Sequence, residues 1–279
     1  MTSNLPDALD AQPVPPDLEE IWEQAASRLG PFADGLHCRS VVTSTNDLAI
    51  RLADAGAKEG TTLLAEAQTS GRGRRGREWF SPPGSGIYAS VILRPSVDET
   101  LGAAASLPSR ITIVAGVAVA EGVRASTGLP VELKWPNDLV FERRKLAGIL
   151  AEMATTGSES AVVLGIGINV RATAYPAELA ATATSLEAEL GRPVDRALVL
   201  VESLAALASR YEDLRAGRFD AILTAWRRLA CSLPGALIEW DGPAGLVRGE
   251  AIDIDSDGTL LARTGSVVVR LVAGEVRWR

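Results

Sequence analysis

The chain carries a single histidine, His37, and only two cysteines, Cys38 and Cys231, in 279 residues. One histidine excludes a multi-histidine zinc site. No nucleophile motif accompanies it to support a Ser-His-Asp or Cys-His arrangement, so His37 reads as structural. The cysteines lie far apart with no metal-ligand spacing, which predicts two reduced thiols in a cytoplasmic protein. No apolar run reaches the about 18 residues that a membrane span requires. The opening stretch MTSNLPDALDAQPVPPDLEE has neither a basic start nor an apolar segment, so no secretory signal is expected. Positive charge is also in short supply. With 28 Lys and Arg against 35 Asp and Glu, the net charge of −7 argues against a protein built to coat nucleic acid. Any polyanion must be held locally.

Apolar residues make up 47% of the chain, enough for a sizeable core. Residues 1–16, rich in Pro, Asp and Ala, predict a disordered tail. A helix follows, with Asp17 as its cap, Glu20 three residues on, and Leu18, Ile21, Trp22, Ala25 and Leu29 on one face. Gly30-Pro31 ends it. The remaining length leaves no room for an N-terminal helix-turn-helix domain. From about 38 to 230 strand and helix signals alternate. Strands are expected at 38–44, 61–68, 87–94, 131–135, 145–154 and 161–170, with a helix capped by Ser44-Thr45 and a long one over 108–127. Helices dominate 176–229. From 231 onwards five short β-type runs separated by Asp-Gly and Gly turns predict a small β-domain, so the domains are 17–230 and 231–279.

Chemistry concentrates in three segments. Glu66–Ser90 reads EAQTSGRGRRGREWFSPPGSGIYAS, and sets Arg72, Arg74, Arg75 and Arg77 within six residues of an acidic protein. Gly71, Gly73 and Gly76 let the backbone bend closely around a ligand, and guanidinium forks can meet phosphate or carboxylate oxygens. Other readings are a glycine-arginine RNA tail, which would be low-complexity, and a merely solvated basic loop. Gly71-x-Gly73-x-x-Gly76 matches the dinucleotide fingerprint only in letters, because EWFSPPGSG cannot open the helix that the fingerprint requires. Mutual repulsion among the four arginines predicts a loop disordered until a ligand arrives. The second segment joins Lys134-Trp135-Pro136-Asn137-Asp138 to a strand beginning Lys145-Leu146-Ala147-Gly148, where Gly148 leaves a gap for close approach. The third, Gly165-Ile166-Gly167-Ile168-Asn169, is a glycine-interrupted strand. Asp253-x-Asp255-x-Asp257-Gly258 imitates the start of an EF-hand loop, but Thr264 stands where its terminal Glu belongs and strands flank it, so it reads as a hairpin turn.

GRGRRGR-x-W, KWPNDL, KLAGIL and GIGIN, in this order, resemble the biotin protein ligase family, as do Ser44-Thr45-Asn46 at a helix start and Gln68 before the glycine loop. The resemblance covers about residues 40–170. It implies an α/β (α+β) fold of the class II aminoacyl-tRNA synthetase-like type, a mixed sheet with helices on one side, followed by a small SH3-like barrel. It implies activation of biotin by ATP to an adenylate, with Mg²⁺ on the phosphates. Transfer then follows to a lysine of a biotin carboxyl carrier domain of an acyl-CoA or pyruvate carboxylase. No DNA and no membrane partner is implied, and the protein is expected as a monomer or weak homodimer of the monofunctional type.

By the same resemblance, biotin is bound by Ser44, Thr45, Asn46, Gln68, Gly71, Arg72, Gly73, Arg74, Lys145 and Gly148. The adenylate or ATP falls to Arg75, Arg77, Trp79, Lys134, Asn137 and Asn169, and a phosphate-borne Mg²⁺ to Asp138. Lys145, Arg72 and Arg74 are the expected catalytic residues. The chemistry agrees with these types: neutral Ser, Thr and Gln suit an uncharged ureido head, and cations suit the meeting of a carboxylate with a triphosphate. Two alternatives remain: a lipoate or octanoate ligase, which would have no use for the ureido-binding set, and a non-catalytic biotin sensor.

Overall fold

A computed structural model describes residues 11–95, 107–156, 159–172, 175–230, 233–242, 245–272 and 276–278. Residues 1–10 of the expected tail and Cys231 lie outside them. In chain order the first strands are β1 (Ala11–Gln12), β2 (Leu36–Val42), β3 (Thr62–Gln68) and β4 (Gly86–Leu93). They are followed by β5 (Glu132–Lys134), β6 (Asp138–Phe141), β7 (Arg144–Thr156) and β8 (Glu159–Asn169). These eight form one sheet in the order β1-β2-β3-β4-β8-β7-β6-β5. Only β2 and β3 pair in parallel; the other neighbours run antiparallel. A parallel neighbour needs a crossover, and the helix α3 (Thr45–Asp54) provides it.

The tail expected over 1–16 is thus partly structured from residue 11, where Ala11 and Gln12 pair with Arg39 and Cys38. The first helices are α1 (Pro16–Gln24) and α2 (Ala26–Leu29). Asp17 does not cap α1. Pro16 takes its first position and Asp17 sits inside the first turn, because proline's fixed φ suits that place and needs no N–H partner. Gly30 then ends the helical run at a φ of 53°.

The remaining helices are α4 (Leu107–Thr127), α5 (Ala177–Ala180), α6 (Leu186–Leu190), α7 (Arg196–Arg215) and α8 (Phe219–Leu229). On β8 the period of two divides the side chains. Val162, Leu164, Ile166 and Ile168 join the core built with α4 and α7. Val163 joins a second cluster with Leu48, Ala49, Leu52 and Ala53 of α3. The long helices therefore share one face as expected, but α3 covers the other. The mixed sheet with its helical layer is as expected, and the crossover helix α3 adds packing on the opposite face. α4 is apolar nearly all round, as a helix held between a sheet and α7 must be.

The C-terminal strands β9 (Leu237–Gly242), β10 (Gly245–Ile254), β11 (Leu260–Thr264), β12 (Val267–Leu271) and β13 (Val276–Trp278) form an antiparallel sheet ordered β12-β11-β10-β9-β13. Among the described residues no pairing joins β12 to β13, so the expected barrel is seen as a five-stranded sheet. Asp255 accepts from the backbone N–H groups of Asp257 and Thr259, which makes Asp253–Gly258 a hairpin turn and not a metal loop. This turn docks on the main domain. Trp135 Nε1 donates to Gly258 O at 3.0 Å, and buried Arg110 pairs with Asp257 at 3.0 Å while lying 4.8 Å over the Phe219 ring.

Candidate active site

On the α3 face of the sheet, a cavity of about 550 Å³ opens over β7 and β8. Its floor is nearly bare backbone. Gly148 and Gly167 are directly paired across β7 and β8, and the indole of Trp79 lies upon them. A Cβ on Gly167 would stand 2.5 Å from Trp79 Cε2, and one on Gly148 would stand 2.9 Å from Trp79 Cζ3. Glycine is required here by a flat ring, not by a turn. The Trp79 Nε1–H is buried against Gly167 with no acceptor in the protein.

At one end of the floor stands a polar group built on the start of α3. Ser44 caps the helix, its hydroxyl accepting from Asp47 N at 3.4 Å. Thr45 donates to Gln68 Oε1 from both N (2.9 Å) and Oγ1 (3.1 Å), and Gln68 Nε2 donates to Ser81 Oγ at 2.8 Å. The side chains are mutually oriented before any ligand arrives, which lowers the entropy lost on binding. Asn46 is buried deeper. Its Nδ2 donates to Glu152 Oε2 at 2.8 Å, and its Oδ1 accepts from Ser90 Oγ at 2.6 Å. Gly165 makes room for it, since a Cβ there would lie 2.4 Å from Asn46 Oδ1.

Cations gather at the other end. Lys145 Nζ pairs with Asp138 at 2.7 Å and sits 5.2 Å from the centroid of Trp79. A bulge aims it there. β6 pairs Val140 with Lys145 and Leu139 with Ala147, so the ladder passes over Leu146. Without that extra residue Lys145 would share the face of Ala147 and point into the core. Instead Leu146 and Ala147 are both buried in the core, while Lys145 lines the cavity. Arg74 donates from Nη1 to Asn137 Oδ1 at 3.2 Å. Asn137 is itself held by β7, giving Nδ2 to Ile149 O and taking Ile149 N, each at 2.9 Å. Burial lowers the pKa of Arg74, with Asp138 opposing the shift. Arg74 is thus a partly desolvated cation, whose charge counts for more than it would in water.

Every residue anticipated for the site lines this cavity except Gly71. Gly71 is where the loop crosses itself: a Cβ there would fall 2.5 Å from Trp79 O and 2.7 Å from Ser81 Oγ. Three placements differ in kind from the expectation. The loop over 71–80, expected to be disordered through charge repulsion, is folded over the cavity with a 3₁₀ turn at Arg74–Gly76. Its repulsion is relieved because Arg72 pairs with both Asp47 and Glu152. Arg72, expected as a catalytic cation, accordingly spends its guanidinium on protein carboxylates. Asn46, expected to meet biotin, has its amide committed to Ser90 and Glu152. Asn169 lies at the rim and gives Nδ2 to Thr184 O at 2.9 Å. Lys134, Arg75, Arg77 and Gly73 line the cavity as well. Elsewhere, burial pushes the Cys38 thiol up to about 11, which suits an inert core residue.

Sequence reasoning missed Glu152, Ser90, Ser81 and Asp47, and also Trp278, which reaches the cavity from β13. Glu152 had a signal: it falls on the same strand parity as Gly148. So had Ser90, the one serine in the apolar run of β4. Trp278 had none, because only the tertiary fold returns the end of the chain to the site.

Residues 38–169 match the biotin/lipoate A/B protein ligase family. Over 239 residues the chain is 38% identical to the biotin–[acetyl-CoA-carboxylase] ligase of Mycobacterium tuberculosis, covering 84% of this chain and 85% of that one. It is 35% identical over 241 residues to the bifunctional ligase/repressor BirA of Bacillus spizizenii, covering 85% of this chain and 72% of the relative. The structure is similar to biotin protein ligase from Aquifex aeolicus in complex with biotin and ATP. There the TM-score is 0.75 and the identity 30%, over 88% of this chain and 99% of that one.

Proposed function

The chain belongs to the biotin/lipoate A/B protein ligase family, and on that premise we propose how its cavity works as an ATP-dependent biotin protein ligase. The observation that carries the reading is the order of groups along one cavity: a neutral hydrogen-bonding set at Ser44, Thr45 and Gln68, an apolar stretch of glycine backbone and Trp79 ring, then Arg74 and Lys145. Biotin has the same order of ureido head, apolar body and carboxylate. The cavity falls within the usual range for a site holding a small ligand.

In the first step a carboxylate oxygen of biotin attacks the α-phosphorus of ATP, and pyrophosphate leaves with the electron pair of the broken P–O bond. Two anions must approach each other, and Arg74 and Lys145 supply positive charge on fixed supports, Asn137 for one and Asp138 for the other. The Trp79 indole forms the wall against the nucleotide. In the second step the amine of an acceptor lysine attacks the acyl carbon of the mixed anhydride. AMP leaves, the amide forms, and the amine loses its proton. No protein nucleophile enters, which agrees with a site holding no Ser-His or Cys-His pair. The acceptor is a biotin carboxyl carrier domain.

Among the described residues no group of three His, Cys, Asp or Glu side chains could hold a metal ion. Mg²⁺ commonly binds through substrate phosphates with one or two carboxylates, and in this cavity Asp138 is placed for that role only by giving up part of its pairing with Lys145. We place Mg²⁺ on the nucleotide phosphates with Asp138 beside it. The ion would neutralise phosphate charge. Among the described residues no helix is long and apolar enough to cross a membrane.

Pyrophosphate release from ATP, followed with biotin, lipoate or octanoate as the acid and no acceptor present, tests the pocket. Release with biotin alone is the expected result. Release with lipoate or octanoate in its place would transfer the cavity to the other branch of the family, and release with no acid would refute the reading.

A further inference from the structure

We infer that Glu152 is a positioning residue that couples closure of the arginine loop to the alignment of the head-group site. The inference rests on the biotin reading of that site. Glu152 stands on β7 at the parity of Gly148 and Leu150, pointing to the cavity face. Its two oxygens serve two different parts of the molecule. Oε1 takes Arg72 of the loop, and Oε2 takes the Nδ2–H of Asn46 at 2.8 Å. From Asn46 the chain runs inward without a break. Ser90 Oγ gives its one proton to Asn46 Oδ1 (2.6 Å) and can accept the hydroxyl proton of Thr45, whose Oγ1 lies 2.8 Å away, while the Thr45 backbone N–H donates to Gln68 Oε1 at 2.9 Å. Asn46, Ser90 and Thr45 are all buried. Glu152, Asn46 and Ser90 thus connect a loop arginine to Thr45 and Gln68, which face the ligand head.

The linkage has a physical consequence. A carboxylate that holds Arg72 with one oxygen fixes the other oxygen's direction, and with it the amide plane of Asn46. Asn46 can accept from Ser90 only while its amide faces Glu152 with the N–H₂ side, and Ser90 in turn sets the Thr45 hydroxyl. Ordering the head-group site therefore favours the latched loop, and a latched loop favours the ordered site. By reciprocity each raises the other's population by the same factor. Asp47 differs. It also pairs with Arg72, but among the described hydrogen bonds its carboxylate reaches no member of the inner chain. It acts as a latch and not as a link.

The test uses the full chain, with Glu152→Gln, Asp47→Asn, Arg72→Gln and the Glu152→Gln/Arg72→Gln double variant. Two readouts are taken: the rate of tryptic cleavage after the loop arginines, with and without biotin, and the biotin dissociation constant by calorimetry without ATP. In the native chain biotin is expected to slow loop cleavage. Glu152→Gln is expected to be cleaved about tenfold faster and to bind biotin about tenfold more weakly, the effect of losing one charge-assisted hydrogen bond. Asp47→Asn should speed cleavage but weaken biotin less. The double variant should bind biotin no worse than the poorer single variant, since both changes cut one chain. If Glu152→Gln changes only one of the two readouts, or if the losses of Glu152→Gln and Arg72→Gln add, the coupling is refuted. Should Glu152→Gln fail to fold, Arg72→Gln at the exposed end carries the test: biotin affinity unchanged with cleavage accelerated would overturn the link. If the native chain itself does not bind biotin, the functional reading falls, while the cleavage rates still judge the latch.

Discussion

At Gly167, the Cβ that an alanine would add falls 2.5 Å from Trp79 Cε2 and 2.6 Å from its Nε1. The indole is carried on a loop, so it can be pushed away at little cost to the core. Gly167→Ala is therefore expected to keep its melting temperature within about 2 °C. Its biotin-dependent pyrophosphate release should fall at least about tenfold, since a misplaced wall loses the alignment on which the reaction depends. An unchanged rate would show that the indole's seat on the glycines has no part in the chemistry. These glycines were visible in the sequence as gaps in apolar strands, but their occupant was not. Nothing in GIGIN or KLAGIL says that a tryptophan 88 residues before the one glycine and 69 before the other lies across both. Arg72 shows the opposite limit. The sequence marks it as a cation in a binding loop, and only the positions of Asp47 and Glu152 reveal that its charge is spent within the protein.

At the scale of elements, the strands and long helices follow from period and punctuation. Pro and Gly bracket α1 and α2, Ser44 caps α3, and β4 and β8 read as mainly apolar runs. β6 escaped because DLVF is four residues between two turns, too short for a period to show. The bulge at Leu146 escaped for another reason: a one-residue excess in β7 exists only relative to β6. Yet that residue turns Lys145 from the core to the cavity. The layer of helices offers a cleaner test. α4 and α7 cross closely at Gly122, where an added Cβ would stand 2.4 Å from Ser203 Cα and 2.5 Å from Ser203 N. Both obstacles are backbone, so the helices themselves must separate. Gly122→Ala is expected to cost about 1–3 kcal/mol and to lower the melting temperature by several degrees. Biotin affinity measured well below that temperature should be unchanged, because neither helix reaches the head-group site. A variant as stable as the native chain would mean that the crossing is looser than described.

On the scale of the whole molecule, two sheets meet at one cavity. The main sheet supplies the floor, α3 the polar end and the loop the cover, while β13 brings Val276 and Trp278 to its edge. The C-terminal sheet is fastened near the same place by Trp135, which directly precedes the Pro136-Asn137-Asp138 turn, through its bond to Gly258 O. The turn that orients Arg74 and the hairpin of the second sheet are therefore joined by one side chain. The sequence located both the turn and the hairpin but not the bond between them, since the C-terminal strands carry no chemistry of their own and matter by where they end.

On the proposed reading, this cavity makes an acyl-adenylate of biotin and hands it to a lysine. The most direct measurement is the intact mass of a purified biotin carboxyl carrier domain after incubation with the protein, ATP and biotin, run beside Lys145→Ala. The carrier domain is expected to gain one biotin, dependent on ATP and confined to the acceptor lysine, with the rate for Lys145→Ala lower by about a hundred- to a thousandfold. A carrier domain that gains no mass, or a Lys145→Ala variant as fast as the native enzyme, would contradict that reading.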